Sequence, residues 1–325
     1  MFKANACSYG VFVLLIATIL IGCTNQVVNP KSGSRIVLGT ERKGWGGFRD
    51  VFTPFPIYAI TTDGSGELDE KLPSNLGAEA EWSPDGKWIA FVARPFEDDG
   101  RALSLMRSDG SQQMSLGLTQ KARFDPKWSP DGMNITFYSA SMLQHGVFGL
   151  NVECWIRGRS ECKAQSTFLT QGFDPDWSPD GRRIAFANDQ IFIMNVDYNG
   201  KQVNLTPTLS GCHNPDWSPD GQRIVFSCAA GINGTIYIAG ADGSGLEKIY
   251  DGGFWPKRSP DGTRIAFVST GGKRPPNLRR CFGIEYTEFC DAIYLMDPDG
   301  NSVIRLSQNN NEVVRWYIWV SSERR

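Results

Sequence analysis

The chain has 325 residues, 41% of them hydrophobic and 12% aromatic, enough for one large domain or two small ones with a sizeable core. A formal net charge of −2 leaves no basic excess that would suit nucleic acid and no acidic excess that would suit disorder. Glycine (35) and proline (18) punctuate many short apolar runs, which is the composition of a turn-rich all-β protein.

The first segment reads as a targeting signal. Lys3 gives a positive start, and Val11 to Ile21 is an apolar run too short for the about 20 residues that span a bilayer. It fits the h-region of a secretory signal. Leu20-Ile21-Gly22-Cys23 follows and resembles a bacterial lipobox. That resemblance implies cleavage before Cys23, lipidation of Cys23 and, with Thr24 next, an outer-membrane destination. The alternatives are a plain signal peptide or an uncleaved anchor. On this reading residues 1–22 are signal peptide, 23–33 lipidated terminus and tether, and 34–325 the folded domain.

The folded part repeats. Trp-Ser-Pro-Asp-Gly occurs at Trp82, Trp128, Trp177 and Trp217, and Arg258 heads a fifth copy without the Trp. Each copy leads into an apolar strand, such as Trp88 to Phe91 or Arg183 to Phe186. Short strands at a period of about 40–50 residues indicate a β-propeller with four strands per blade. A third strand precedes Asp-Gly or Asn-Gly at Asp63, Asp109, Asn199, Asp242 and Asp299, where a hairpin needs positive φ. A fourth closes on Leu118-Thr119, Leu169-Thr170, Leu205-Thr206 and Leu306-Ser307. The first repeat starts at its second strand, Arg35 to Leu38. The chain ends on a strand, Val314 to Val320, with Trp319 where the repeat Trp belongs. The expected architecture is therefore six blades, closed by the C-terminal strand against the N-terminal blade. No convincing helix is visible.

The PxWSPDGxxIAF unit resembles the TolB-like, WD40-like propeller family, over about Ser34 to Val320. The resemblance implies a six-bladed propeller and a binding function toward proteins of the cell envelope. TolB also carries an N-terminal α/β domain, for which there is no room between Cys23 and the first strand, so its particular partners do not transfer.

Cys7 leaves with the signal and Cys23 takes the lipid. Six cysteines remain in an exported chain, where disulfides form. Three local pairs are expected: Cys154 with Cys162, Cys212 with Cys228 across a hairpin, and Cys281 with Cys290. A thiolate metal site is the competing reading, but there is no CxxC pair.

Alternating strand direction puts the first-to-second and third-to-fourth turns on one face. Long insertions fall on the other: residues 40–55, 94–101, 140–146 and 269–291. The first and last of these mix basic and aromatic residues, the kind of surface that makes binding hot spots, unless the loops are merely ornamental. The first strand of each blade borders the central channel. Three residues before each Trp position stand Glu79, Asp125, Asp174, Asn214, Trp255 and Trp316. A mouth of carboxylates and indoles suits a cation, a basic peptide end or a sugar. The plainer reading is that these groups satisfy strand ends and bind water.

Catalytic equipment is scarce. There is no GxSxG motif. The two histidines, His145 and His213, lie in different blades. Asp297 to Asn301 resembles the start of a calcium loop but lacks the closing Glu and reads as a turn. The repeated Ser-Pro-Asp-Gly aspartates read as turn residues. The expectation is a non-enzymatic, monomeric, lipid-anchored propeller of the cell envelope that binds an envelope protein or peptide. It needs no cofactor and no nucleic acid, though the channel has room for a divalent cation. The alternative is a carbohydrate- or peptide-processing enzyme, a propeller lyase or peptidase-associated module, using the channel mouth.

Overall fold

The computed structural model describes residues 35–42, 57–61, 68–72, 80–93, 101–120, 125–140, 145–159, 161–197, 201–228, 234–269, 292–306 and 312–320. The signal and lipobox, most of the four insertions, Glu79, Cys281 and Cys290 lie outside the described residues.

Five sheets are each built from four consecutive antiparallel strands. The first is β4 (Glu81–Trp82), β5 (Trp88–Ala93), β6 (Arg101–Arg107) and β7 (Met114–Gln120). Next come β8 (Lys127–Trp128), β9 (Asn134–Ala140), β10 (His145–Asn151) and β11 (Ser166–Thr170). The third is β12 (Phe173–Trp177), β13 (Arg183–Asn188), β14 (Gln190–Asn195) and β15 (Gln202–Asn204). The fourth is β16 (Cys212–Trp217), β17 (Arg223–Cys228), β18 (Thr235–Gly240) and β19 (Glu247–Asp251). The fifth is β20 (Gly253–Arg258), β21 (Ile265–Ser269), β22 (Ala292–Met296) and β23 (Ile304–Arg305).

A composite sheet joins both ends of the chain. Strand β24 (Glu312–Val320) pairs with β1 (Arg35–Arg42), and β2 (Ile57–Thr61) and β3 (Leu68–Leu72) follow. Trp319 sits opposite Ile36. The expectation of a six-bladed propeller is corrected here. Five blades of four consecutive strands run from β4 to β23, and the remaining four-stranded sheet is composite, drawn from both ends of the chain. The class that stands is an all-β propeller.

The Ser-Pro-Asp-Gly turn explains why the blades repeat. Ser83 Oγ donates to Asp85 Oδ1 at 2.7 Å and accepts from Trp88 N at 2.9 Å. Asp85 Oδ1 also accepts from Lys87 N. Gly86 N donates to Ser83 O, and Gly86 takes φ 69°, a left-handed value that glycine adopts without a Cβ penalty. The same serine–aspartate–backbone set recurs at Ser129, Ser178, Ser218 and Ser259. Hydroxyl and carboxylate are consumed by the turn, as an Asx-type turn requires. Asp297 to Asn301 is likewise a turn: Gly300 N donates to Asp297 O, and Asp299 Oδ1 accepts from Asn301 N.

Behind each turn, one phenylalanine of the second strand is fully buried: Phe91, Phe137, Phe186, Phe226 and Phe267. Four of them stack on an aromatic ring directly opposite in the third strand, as Phe226 does on Tyr237 at 6.0 Å. Burying each such side chain contributes roughly 1.5–3 kcal/mol.

Two details depart from the sequence pattern. A short helix, α1 (Glu153–Ile156), lies in the β10–β11 connection, where no helix is visible in the sequence. The Leu-Thr pair Leu205-Thr206 lies just past the end of β15, and Leu306 just past β23. The Cys154–Cys162 bridge ties the α1 connection, and the Cys212–Cys228 bridge spans β16 and β17 with Cα atoms 3.9 Å apart.

Candidate functional site at the channel

The inner strands β4, β8, β12, β16, β20 and β24 touch one another in that order, so these strands border the channel. The positions three residues before the Trp share one backbone feature. Asp125, Asp174, Asn214 and Trp255 all have positive φ, between 34° and 52°. In β12, β16 and β20 the register against the second strand slips there, between Phe173 and Asp176, His213 and Asp216, and Phe254 and Lys257. Each is a bulge, which bends the inner strand and re-aims its side chains. Asn214 N donates to Asp174 Oδ2 at 3.1 Å, so these positions meet across neighbouring blades. The structure thus brings Asp125, Asp174 and Asn214 together along the channel wall and places Trp255 at the equivalent point. Glu79 and the side chain of Trp316 lie outside the described residues.

The more telling set stands one residue before the Trp: Glu81, Lys127, Asp176, Asp216 and Lys257. Sequence reasoning missed it. Lys127 Nζ lies 2.8 Å from Asp125 Oδ1 and 4.0 Å from Glu81 Oε2. Lys257 Nζ lies 2.9 Å from Asp216 Oδ1. Both lysine side chains are nearly covered, at 10% and 19% exposure, so these are not loose surface pairs. The aspartates also latch blade to blade. Asp176 Oδ2 accepts from Trp217 N at 2.9 Å, and Asp216 Oδ2 accepts from Arg258 N at 2.7 Å. In the preceding blades the Trp128 indole donates to Glu81 O.

Five carboxylates against two ammonium groups leave the wall acidic, and the shifts follow. Burial pushes Glu81 up to about 7, with Lys127 opposing; its Oε2 is buried and has no hydrogen-bond partner. Burial also raises Asp174 and Asp176, reinforced by the charges of Asp125 and Asp216 respectively. Lys257 is held well above its ordinary value: burial opposes its charge, but Asp216 and Asp176 outweigh it. A carboxylate ring of this kind favours an approaching cation over an anion. At the position where the other four copies carry Trp, buried Arg258 keeps Nε and Nη2 without hydrogen-bond partners.

Beside the mouth, His213 packs against Phe173 at 5.1 Å, and Phe173 meets Tyr138 edge-on at 6.4 Å. His213 Nδ1 is 3.8 Å from Asp174 Oδ2, and burial holds its imidazole below the ordinary 6.5. His145 is exposed at the start of β10. Among the described residues, no group of three His, Cys, Asp or Glu side chains is arranged to hold a metal ion.

The PD40 model, the TolB beta propeller domain, matches residues 89–275, more than half of the chain. The chain belongs to the TolB β-propeller family. Among solved structures it is similar to TolB from Acinetobacter baumannii, with 20% identity and a TM-score of 0.65 over 88% of this chain and 66% of that one. The chain thus spans just under two thirds of that TolB. The putative TolB from Agrobacterium tumefaciens also matches, at 20% identity and a TM-score of 0.57 over 90% of this chain and 99% of that one. An oligogalacturonate lyase in complex with manganese matches at 13% identity and a TM-score of 0.50, over 78% of this chain and 70% of that one. At these identities the likeness shows the fold alone. None of the curated proteins matches by sequence.

Proposed function

We propose that this TolB-family propeller is a non-enzymatic binding module of the bacterial cell envelope. It is exported, anchored by lipid at Cys23, and takes a positively charged segment of a protein partner at the channel mouth. The observation that carries the reading is the acidic wall: Glu81, Asp125, Asp174, Asp176 and Asp216 around two lysines that are themselves engaged. The aromatic row Tyr138–Phe173–His213 at its edge adds rings against which a Lys or Arg side chain packs. The two disulfides fit an oxidising compartment, which supports export.

The test is cross-linking and capture from the native envelope, using wild type and the double variant Asp125→Ala/Asp174→Ala. The variant is expected to lose partners that wild type captures, and the loss should be mirrored by raising salt. An unchanged capture profile would defeat the channel as the site. Cys23→Ser separately tests the anchor. That variant should move from the membrane to the soluble fraction, and no change in fractionation would refute lipidation.

A further inference from the structure

The connection between β10 and β11 departs from its counterparts. It runs over residues 152–165, whereas the equivalent links in the other sheets are only six or seven residues long. It is not slack chain: α1 and the Cys154–Cys162 bridge fold it back on itself, and Val152 N donates to Met133 O. Folded this way, it walls a cavity of about 570 Å³ in the cleft between the β8–β11 and β12–β15 blades. That volume is within the ~300–1,000 Å³ of small-molecule sites.

The lining has a specific chemistry. Trp155 from α1 and Trp177 from β12 bring two indoles, over an aliphatic floor that includes the buried Leu150 and Ile184. The Trp177 ring N–H is shielded from solvent and has no hydrogen-bond partner. Around them stand uncharged polar groups. Asn134 Oδ1 accepts from Asn151 Nδ2 at 3.1 Å, which leaves the Asn134 amide donor for another partner. Gln165 and Thr167 are exposed and project at the rim. No carboxylate lines the cavity, and its single charge is Lys163.

We propose that this cavity binds a saccharide. Indole faces match the C–H faces of a sugar ring, and neutral amides and a hydroxyl match its hydroxyl groups. An apolar ligand would strand the amides, and a cationic one would meet Lys163. Lys163 adds a preference for a sugar acid over its neutral counterpart. None of the mouth or wall residues lines this cavity, so the proposal is independent of the channel reading.

The test is saturation-transfer NMR and calorimetry on the mature, oxidised protein. The probes are disaccharides of glucose, of N-acetylglucosamine and of glucuronic acid, at roughly 10 mM, above the ~1 mM Kd of a weak small-ligand site. At least one probe is expected to bind, with the acidic one favoured. Trp155→Ala and Gln165→Ala should each weaken binding about tenfold, roughly the worth of one aromatic or hydrogen-bonding contact. Gln165 is exposed, so its variant keeps the fold, and near-UV circular dichroism verifies this. The proposal is overturned if no probe binds, if both variants bind as wild type does, or if Asp125→Ala/Asp174→Ala abolishes binding while Gln165→Ala does not.

Discussion

The blade-tip turns and the channel wall use the same acidic side chains to opposite ends. In the turns, Asp85, Asp180, Asp220 and Asp261 are held below the ordinary carboxylate range, chiefly by the serine hydroxyl and the backbone N–H that each accepts; for Asp85 these overcome a modest cost of burial. In the wall, burial raises Glu81, Asp174 and Asp176. A turn aspartate is satisfied within its own hairpin. A wall aspartate is satisfied by the next blade, through Trp217 N or Arg258 N. The turn is a local device, and the wall is where the blades hold each other and where charge is left over.

That contrast can be broken directly. Asp216→Ala removes the latch to Arg258 N and strands Lys257 beside the remaining carboxylates. Breaking a covered pair of this kind costs about 3–5 kcal/mol. Urea unfolding should show that loss, and a change below about 1 kcal/mol would mean that the latch is incidental. Asp216→Asn, which keeps an acceptor, should recover part of it.

The Cys212–Cys228 bridge lies at the other end of β16 from the latch. It closes a loop with a sequence separation of 16. Replacing both cysteines by serine should cost about 3 kcal/mol by loop entropy. The same change at Cys154 and Cys162, whose bridge closes a shorter loop within the α1 connection alone, should leave the global unfolding midpoint closer to wild type. Equal losses from the two bridges would contradict that assignment. A turn aspartate should matter less still. Asp220→Ala removes contacts to Ser218 Oγ and Gln222 N at an exposed tip, for about 1 kcal/mol.

How much of this was legible follows from which signals repeat. The turn repeats as five nearly identical residues, so hairpins, strand order and the inner position of the Trp strands could be read from spacing. The Cys212–Cys228 pairing was legible because a regular hairpin centred on Asp220 places the two residues opposite each other. Asp125, Asp174, Asn214 and Trp255 stand out in the sequence as one column three residues before the Trp position, but their left-handed backbone does not, because Asp, Asn and Trp share no side-chain signature for a bulge. The wall column was missed for a related reason. Glu, Lys, Asp, Asp and Lys do not look alike, and only the mixing of opposite charges around the ring marks them as partners. Reading the residue before each Trp down the five repeats would have shown it. Helix α1 escaped because four residues carry no periodicity.

The pH response sharpens the contrast most, because the two regions respond with opposite sign. Glu81 titrates near 7 in the fold against an ordinary 4.5. Between those values the native state holds a proton that the unfolded chain has released. Stability from this group is therefore fully present below about 4.5 and is lost as pH rises through about 7. Asp174 and Asp176, raised in the same direction, add to the trend. The turn aspartates work the other way: their contribution is present above the ordinary carboxylate range and is lost as pH falls below it. The thermal midpoint should therefore be highest near pH 5 and decline toward pH 8, with a second decline below about pH 4. Glu81→Gln should flatten only the decline above pH 5, and Asp220→Asn only the one in acid. A midpoint that rises steadily from pH 5 to 8 would show that the wall carboxylates are ionised and satisfied, and would remove the physical difference between wall and turn.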